Sequence, residues 1–288
     1  MKLLIIGSGG MLGHVLTFYL TEMGYEVIDV SRKRKCRKET ILIDVLDVNS
    51  FSDFLKHNSF DMIINCAAIL PKNAMKTPSL TVLTNSYFPH FLEEFYRNTD
   101  TKIIQVSTGG VFCGDNAPYY ENSKHDTSNF YGKTKSLGEL VDKNNLTVRS
   151  DYIGPDMSKE GNGLFNWIMQ TKGNVHGYNK VFFNGVSSLE FAKFIDLAIH
   201  KNITGVYHLH SSNTITKAEF LKLVCVRFNR KGVNIIDDDV LTMNTSLETE
   251  RKDIIYVPSS LKEQIDTIYD WVNRHSKLYP HYFEGVLT

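Results

Sequence analysis

Cysteine is scarce and scattered in this sequence. Cys36, Cys66, Cys113 and Cys225 are the only four in 288 residues, no CxxC occurs, and no Cys/His cluster has zinc spacing. A disulfide-stapled scaffold is thereby disfavoured, no ligand cluster suggests a metal and none is expected, and a reduced, cytoplasmic protein is the expectation. An excess of charge of one sign is lacking too. Thirty-two Lys and Arg balance 32 Asp and Glu, which removes the attraction a general nucleic-acid binder or an electrostatic membrane binder relies on. No apolar run approaches the ~20 residues of a membrane helix, and the apolar N-terminal stretch breaks at Gly7, so it does not read as a signal peptide. Internal repeats and low-complexity linkers are absent. A chain of this length buries a large core, as one big α/β domain or as a domain with a smaller lobe.

What is present is concentrated first in MKLLIIGSGGMLG, residues 1–13. Leu3 to Ile6 read as a fully buried parallel strand, and Met11 to Leu20 as the start of an amphipathic helix. Between them lie Gly7, Gly10 and Gly13. One glycine serves a sharp turn out of the strand, another lets backbone approach a pyrophosphate, and a third lets helix and strand pack closely. The first helical amides then favour a phosphate. Gly7, Gly10, Met11, Leu12 and Gly13 are therefore candidate cofactor contacts. The spacing is GxxGxxG rather than GxGxxG, and a strand–glycine–helix turn without ligand is the competing reading.

Glu26 to Val30 reads as a second strand, completing a βαβ unit. The position closing this strand faces the adenosine ribose, where an acid suits a free 2′-hydroxyl and a cation a 2′-phosphate. Ser31 followed by Arg32 favours NADP(H) over NAD(H), whereas Asp29 two residues earlier keeps the question open. The remaining charges as far as Lys38 read as a solvated basic loop. Ile41 to Val45 reads as a third strand whose Asp44 and Val45 reach the adenine edge, with helix capping by Asp44 equally compatible. Asp61 to Asn65 forms a fourth, ending in Cys66-Ala67-Ala68, small side chains that let backbone lie against a cofactor. Pro78 to Arg97 reads as a long helix interrupted near Pro89.

A fifth strand, Lys102 to Val106, delivers Ser107 and Thr108 to the sheet edge where open α/β folds bind ligands. After a loop, Tyr131 and Lys135 open a helix running to about Asp142. Four apart, they share one helix face, about 5–6 Å between Cβ atoms. A free phenol titrates at about 10, and a neighbouring ammonium lowers that value toward one suited to acid–base work. Alone, such a pair is more often surface decoration.

The GxxGxxG turn, Asn65–Ala68, Ser107-Thr108 and Tyr131-xxx-Lys135 together resemble the extended short-chain dehydrogenase/reductase superfamily. Within it the chain is most similar to the dTDP-4-dehydrorhamnose reductase family of nucleotide-sugar reductases. That similarity rests on VSTGGVF (106–112), PYYE (118–121), YGKTKSLGE (131–139), NGVSSLEFAKFI (184–195) and GVYHLHSSNTITKAEFL (205–221). The resemblance implies an α/β fold, a Rossmann-type doubly wound parallel sheet with a smaller C-terminal substrate-binding lobe. Residues 1–150 would form the NADP(H)-binding domain and 151–288 mainly the lobe, with about 187–211 returning to the first domain. It implies NADPH as cofactor, NADH being less favoured, and a nucleotide-sugar substrate. Tyr131 would give a proton to the C4 oxygen, tuned by Lys135, and Thr108, chosen over Ser107 by its place three residues before Val111, would polarise the carbonyl. Gly109, Val111, Asn162 and Phe165 would lie on the substrate side, although aromatics at helical spacing such as Phe165 and Trp167 more often pack in a core.

The chain departs from the family where Gly109-Gly110 replace a common Asp-Tyr, and no proline stands in 125–130. A different deoxysugar is therefore left open. Beyond Leu146 to Arg149, a sixth strand, helices are expected over Gly161–Gln170, Leu189–His200, Thr216–Phe228 and Ser259–Arg274, with Asp237–Asp239 as a solvated turn. The expected function is NADPH-dependent reduction of a nucleotide-linked 4-keto-6-deoxysugar in deoxysugar or polysaccharide synthesis, with a homodimer as candidate assembly. The alternatives are a nucleotide-sugar epimerase that retains its nicotinamide and a non-catalytic NADP-binding regulatory subunit.

Overall fold

The computed structural model describes residues 1–283. The first half alternates strand and helix: β1 (Lys2–Ile6), α1 (Met11–Glu22), β2 (Glu26–Ser31), β3 (Ile41–Leu42), α2 (Val48–Lys56), β4 (Met62–Asn65) and α3 (Pro71–Ala74). There follow α4 (Pro78–Val82), a π-helical turn over Leu83–Tyr87, α5 (Phe88–Tyr96), β5 (Lys102–Val106), α6 (Phe130–Leu137) and β6 (Leu146–Arg149). The second half comprises β7 (Tyr152–Ile153), α7 (Leu164–Gln170), β8 (Gly173–Phe183), β9 (Val186–Ser187), α8 (Ser188–Lys201) and β10 (Gly205–His208), then β11 (Ile215–Thr216), α9 (Lys217–Arg227), β12 (Val233–Asn244) and α10 (Leu261–Arg274).

Seven strands form one sheet in the order β10-β6-β5-β4-β1-β2-β3, every neighbouring pair parallel. Period-two alternation in β1 explains the layering. Leu3 and Ile5 enter a core with Leu16 of α1 and Phe191 and Ile195 of α8. Leu4 and Ile6 enter the opposite core with Phe51 of α2 and Phe88 of α5. Both faces are thus covered, as a run with no polar alternation requires. Strand order reverses between β1 and β4, and at that switch point an open α/β sheet leaves a crevice. A smaller sheet, β11-β8-β12, packs with α7, α9 and α10 around Phe165, Phe183, Phe220 and Trp271.

Five expected elements differ. The third strand, expected over Ile41–Val45, is confined to Ile41–Leu42 at the sheet edge, both residues exposed. Residues 78–97 are broken by the π-helical turn rather than at Pro89; its Asn85 brackets the Ile69 backbone, accepting from the amide at 2.8 Å and donating to the carbonyl at 3.0 Å. Helix α6 stops at Leu137, not Asp142, because Gly138 lies against the Asn85 carbonyl, where a Cβ would come within 1.9 Å of its oxygen. Helix α7 starts at Leu164, since Gly163 has φ +98°. Asp237–Asp239 belong to β12 rather than to a turn. β12 is an edge strand, and its carboxylates are balanced by Lys222 on Asp237 (2.7 Å), His176 near Asp238 (2.9 Å) and Lys180 on Asp239 (3.3 Å).

A buried polar chain fastens α1 to the C-terminal segment. The Trp271 indole donates to the Tyr279 hydroxyl at 2.9 Å. That hydroxyl meets His14 Nε2 at 2.7 Å, and His14 Nδ1 meets the Gly10 carbonyl at 2.7 Å. With Nδ1 protonated and Nε2 accepting, every member of the chain is satisfied by a neutral imidazole. Burial holds the His14 pKa down at about 4, against about 6.5 in an unfolded chain. Between these values the unfolded state holds more protons, so stability rises with pH across the window and is lost as acid passes down through it. The thermal unfolding midpoint is expected to fall from pH 6.5 to 4, with His14→Gln showing a shallower fall; an equal slope in the variant would remove His14 as a cause.

Candidate active site

The carboxyl ends of β1, β2, β4 and β5 open onto a continuous cleft. Its first part, about 190 Å³, is lined by Ser31, Arg32, Asp44, Val45 and Ala67. Its second, about 460 Å³, is lined by Met11, Leu12 and Gly13 on one side and by Thr108, Tyr131, Lys135 and Asn162 on the other. Gly7, Gly10, Cys66 and Ala68 border both.

The glycines explain the shape. Gly7 has φ +88°, and a Cβ there would sit 2.9 Å from the Ala67 amide nitrogen. A Cβ on Gly13 would lie 2.3 Å from the Gly7 carbonyl oxygen. The loop therefore closes only with bare backbone. Gly10 leaves the N-terminus of α1 without a side-chain cap, and its first turn carries no acid. Uncapped amides and the helix dipole favour an anion there. A glycine cradle, open helix amides and the small Cys66-Ala67-Ala68 strand end fit a dinucleotide.

The cofactor question left by Asp29 also has a geometric answer. Asp29 is buried and accepts from Arg37 Nε at 2.7 Å and from the Cys36 thiol at 3.3 Å, so it faces away from the cleft. Ser31 and Arg32 line it. Two members of the basic loop have defined partners rather than solvent. Arg37 holds Asp29, and Arg34 reaches Asp156 at 3.3 Å.

At the other end Asn129 caps α6, its Oδ1 accepting from the Gly132 amide at 2.6 Å. This cap puts Tyr131 in the first turn and Lys135 one turn on. The Thr108 hydroxyl lies close enough to the Tyr131 phenol to influence it and accepts from the Gly110 amide at 3.0 Å. Burial pushes the Tyr131 phenol up to about 12, opposed by the Thr108 hydroxyl and reinforced by the Asp151 carboxylate. Lys135 is 2% exposed and donates to the Val106 carbonyl at 2.6 Å. Burial lowers its pKa to about 8, Glu139 opposing. The sequence leads one to expect a phenol tuned downward by Lys135; here desolvation and the Asp151 charge push the phenol up instead, and it stays protonated at neutral pH.

Ser107 is engaged elsewhere, donating to Glu139. Glu139 is also held by Arg149 at 2.7 Å, both side chains buried. Arg149 donates to the Glu121 carbonyl at 2.9 Å and to His208 Nε2 at 3.1 Å. Burial and the Arg149 charge hold the His208 pKa down at about 4. Such a buried ion pair costs desolvation, so full hydrogen bonding is a condition of its existence. Sequence reading passes over this network, although Glu139 follows Lys135 by four residues, a helical neighbour spacing.

Not every expected substrate residue reaches the cleft. Phe165 is fully buried, edge-on to Phe228 (5.2 Å) and Tyr282 (5.7 Å). The apolar stripe of α7 faces the second core, and Trp167 points outward instead, 45% exposed. Val111 is sealed in a small cluster with Phe112, Tyr119 and Leu247. Gly109 is buried against Asp151.

Residues 1–150 match the family described as the RmlD substrate binding domain. The chain belongs to that family. This RmlD-family protein is 25% identical over 234 residues to the spore coat polysaccharide biosynthesis protein SpsK of Bacillus subtilis, covering 76% of each chain. It is 23% identical over 261 residues to the dTDP-4-dehydrorhamnose reductase of Salmonella typhimurium, covering 85% of this chain and 84% of that one. Among solved structures, the dTDP-4-dehydrorhamnose reductase of Bacillus anthracis in complex with NADP superposes with a TM-score of 0.80 at 19% identity, over 94% of this chain and 99% of that one. This last likeness establishes the shared fold.

Two outcomes are expected of the RmlD-family site. Tyr131→Phe lowers turnover by about 10²–10⁴-fold, the range for losing a positioned acid, with NADPH affinity within twofold by fluorescence titration; undiminished turnover would place the proton donor elsewhere. The pH profile of kcat/KM falls through about 8, where Lys135 loses its proton, rather than near the pKa of a free tyrosine.

Proposed function

We propose that the protein reduces the C4 keto group of a nucleotide-activated 6-deoxy-4-keto sugar, dTDP-4-dehydrorhamnose or a close analogue, at the expense of NADPH, in deoxysugar or polysaccharide synthesis. The observation that carries this reading is the half-buried Tyr131 beside Thr108 and Lys135 at the end of a dinucleotide-shaped cleft. The names of the SpsK and reductase relatives support it.

In this reading Gly7, Gly10, Met11, Leu12 and Gly13 hold the pyrophosphate, and Ser31 and Arg32 the 2′-phosphate. Asp44 and Val45 border the adenine, and Cys66, Ala67 and Ala68 leave room for the extended dinucleotide. NADPH, when bound, supplies the hydride. Tyr131 donates its phenolic proton to the C4 oxygen as negative charge develops there, and Thr108 orients that oxygen, an electrostatic contribution made without reorganisation. Lys135, deep in the cleft, carries the positive charge that makes loss of the Tyr131 proton affordable at that moment. Asn162 borders the substrate.

No helix among the described residues is long and apolar enough to cross a membrane. A cytoplasmic protein is the location proposed. Exposed Leu83, Tyr87, Leu137 and Val141 flank α6 and the π-helical turn, an apolar surface suited to a homodimer contact.

The decisive experiment is NADPH oxidation at 340 nm with freshly generated dTDP-4-dehydrorhamnose and with UDP-linked 4-keto sugars. Stoichiometric oxidation is expected with one of them. Tightly retained nicotinamide without net oxidation would mark an epimerase, and binding without any turnover a regulatory subunit. Arg32→Ala is expected to weaken NADPH about tenfold with NADH little changed, the value of one hydrogen bond to a charged group; equal losses for both would remove Arg32 from the 2′-phosphate.

A further inference from the structure

The two glycines after Thr108 open a space that another part of the chain fills. A Cβ at Gly109 would meet Asp151 Oδ1 at 3.1 Å, and a Cβ at Gly110 would meet the Thr108 hydroxyl at 3.3 Å and the Tyr131 ring at 3.9 Å. Asp151 follows β6 and is partly exposed. Its carboxylate thus stands beside Thr108 and Tyr131 because position 109 has no side chain. The acidic side chain that the family resemblance leads one to expect directly after the threonine is absent, and a carboxylate arrives from β6 instead.

Two features show that this carboxylate has spare bonding capacity. Thr245 donates to Oδ2 at 3.2 Å, and Oδ1 accepts no hydrogen bond among the described residues. Nearby, Lys217 at the start of α9 lays its ammonium over the Phe183 ring at 3.6 Å. The Lys217 ammonium meets no carboxylate or carbonyl within hydrogen-bonding distance among the described residues. Burial lowers its pKa, and the Asp151 charge opposes that. A partly desolvated ammonium with three unused donors is costly unless a ligand oxygen completes it. Asp151 thus keeps one carboxylate oxygen free beside the candidate proton donor, and Lys217, within reach of the Asp151 charge, keeps its N–H groups free of hydrogen bonds among the described residues. A ring bearing several hydroxyls supplies both complements.

We propose that Asp151 and Lys217 form the sugar-recognition subsite, Asp151 Oδ1 accepting from a ring hydroxyl and Lys217 donating to an oxygen of the same sugar, with Thr245 fixing the carboxylate. This rests on the nucleotide-sugar reading above. The subsite distinguishes sugars by the placement of their hydroxyls, and Gly109 is its permissive position.

The test uses the full chain with NADP bound, and dTDP-rhamnose and UDP-rhamnose as probes against dTDP and UDP as nucleotide controls, by calorimetry. Asp151→Asn and Lys217→Met are each expected to weaken the sugar nucleotide at least tenfold while the bare nucleotide and NADPH stay within twofold. In turnover they raise KM more than they lower kcat, a split that general loosening would not give. Gly109→Ala, which crowds Asp151 without removing it, weakens the sugar nucleotide as well. Wild-type sugar-nucleotide affinity in Asp151→Asn, or equal loss for the bare nucleotide, would overturn the subsite even if the protein proves a reductase. Conversely, a wild type that binds the sugar nucleotide without oxidising NADPH, with binding lost in the variants, would overturn the reductase reading and leave the subsite standing.

Discussion

Everything in this molecule depends on how closely α1 approaches the loop it grows from. The Gly13 Cα faces the Gly7 carbonyl at a separation where a methyl group would lie 2.3 Å from the oxygen. Only that approach lets α1 pack on β1 through Leu16 and Leu20 while keeping its first amides unobstructed at the sheet edge. A side chain at 13 would push the helix outward, widening the crevice and spoiling the packing at once. Overpacking of this kind costs about 1–3 kcal/mol where neighbours can yield, and here the neighbour is backbone. Binding geometry and core packing are therefore one constraint, which is why a ligand-shaped loop persists at the centre of the sheet.

At the far end of the cleft, desolvation and charge compete and desolvation prevails. Two opposed shifts drive the pair apart in proton affinity and invert its order: Lys135 falls to about 8 while Tyr131 rises to about 12. A phenol kept neutral is a hydrogen-bond donor ready for a carbonyl oxygen, whereas an ionised one would repel the charge that develops there. Glu139, paired with Arg149 beneath, opposes the fall in the Lys135 pKa without cancelling it. The site is thus poised by the dryness of its surroundings more than by the proximity of its two named residues.

The order of strands, the glycine turn and the gathering of Thr108, Tyr131 and Lys135 at one cleft were legible because each has a local signature: an apolar run, a fixed glycine spacing, a pair four apart on a helix. Strands β5 and β6 match their expected bounds for that reason. What was not legible depends on partners far away in sequence. Nothing near Asp29 announces that Arg37 will neutralise it. Nothing near Phe165 distinguishes a core aromatic from a pocket aromatic, since α7 presents one stripe to each environment. The acidic run at 237–239 reads as a turn because a strand with three consecutive carboxylates is tolerable only at an edge with cations opposite, and those cations come from β8 and α9. Asp151 was missed likewise: its significance comes from a glycine 42 residues earlier.

The way the second half of the chain is fastened to the first bears on how the cleft admits its ligands. On the closed side, His14, Tyr279 and Trp271 join in a fully buried hydrogen-bonded chain backed by the second core. Breaking it would strand polar groups at about 1–3 kcal/mol each, so that side behaves as a fixed anchor. At the mouth, the segment after β7 is tied down by the Tyr282 hydroxyl, which accepts from the Asp156 amide at 2.9 Å and donates to Asn166 at 2.6 Å. Its ion pair with the basic loop runs from Asp156 to Arg34, whose side chain is 45% exposed. With its guanidinium open to water, though its carboxylate is buried, the pair is partly screened and contributes little. The Arg34–Asp156 tie is therefore weak where the His14–Tyr279–Trp271 chain is strong, so the fastening of α1 to the C-terminal segment does not depend on the basic loop.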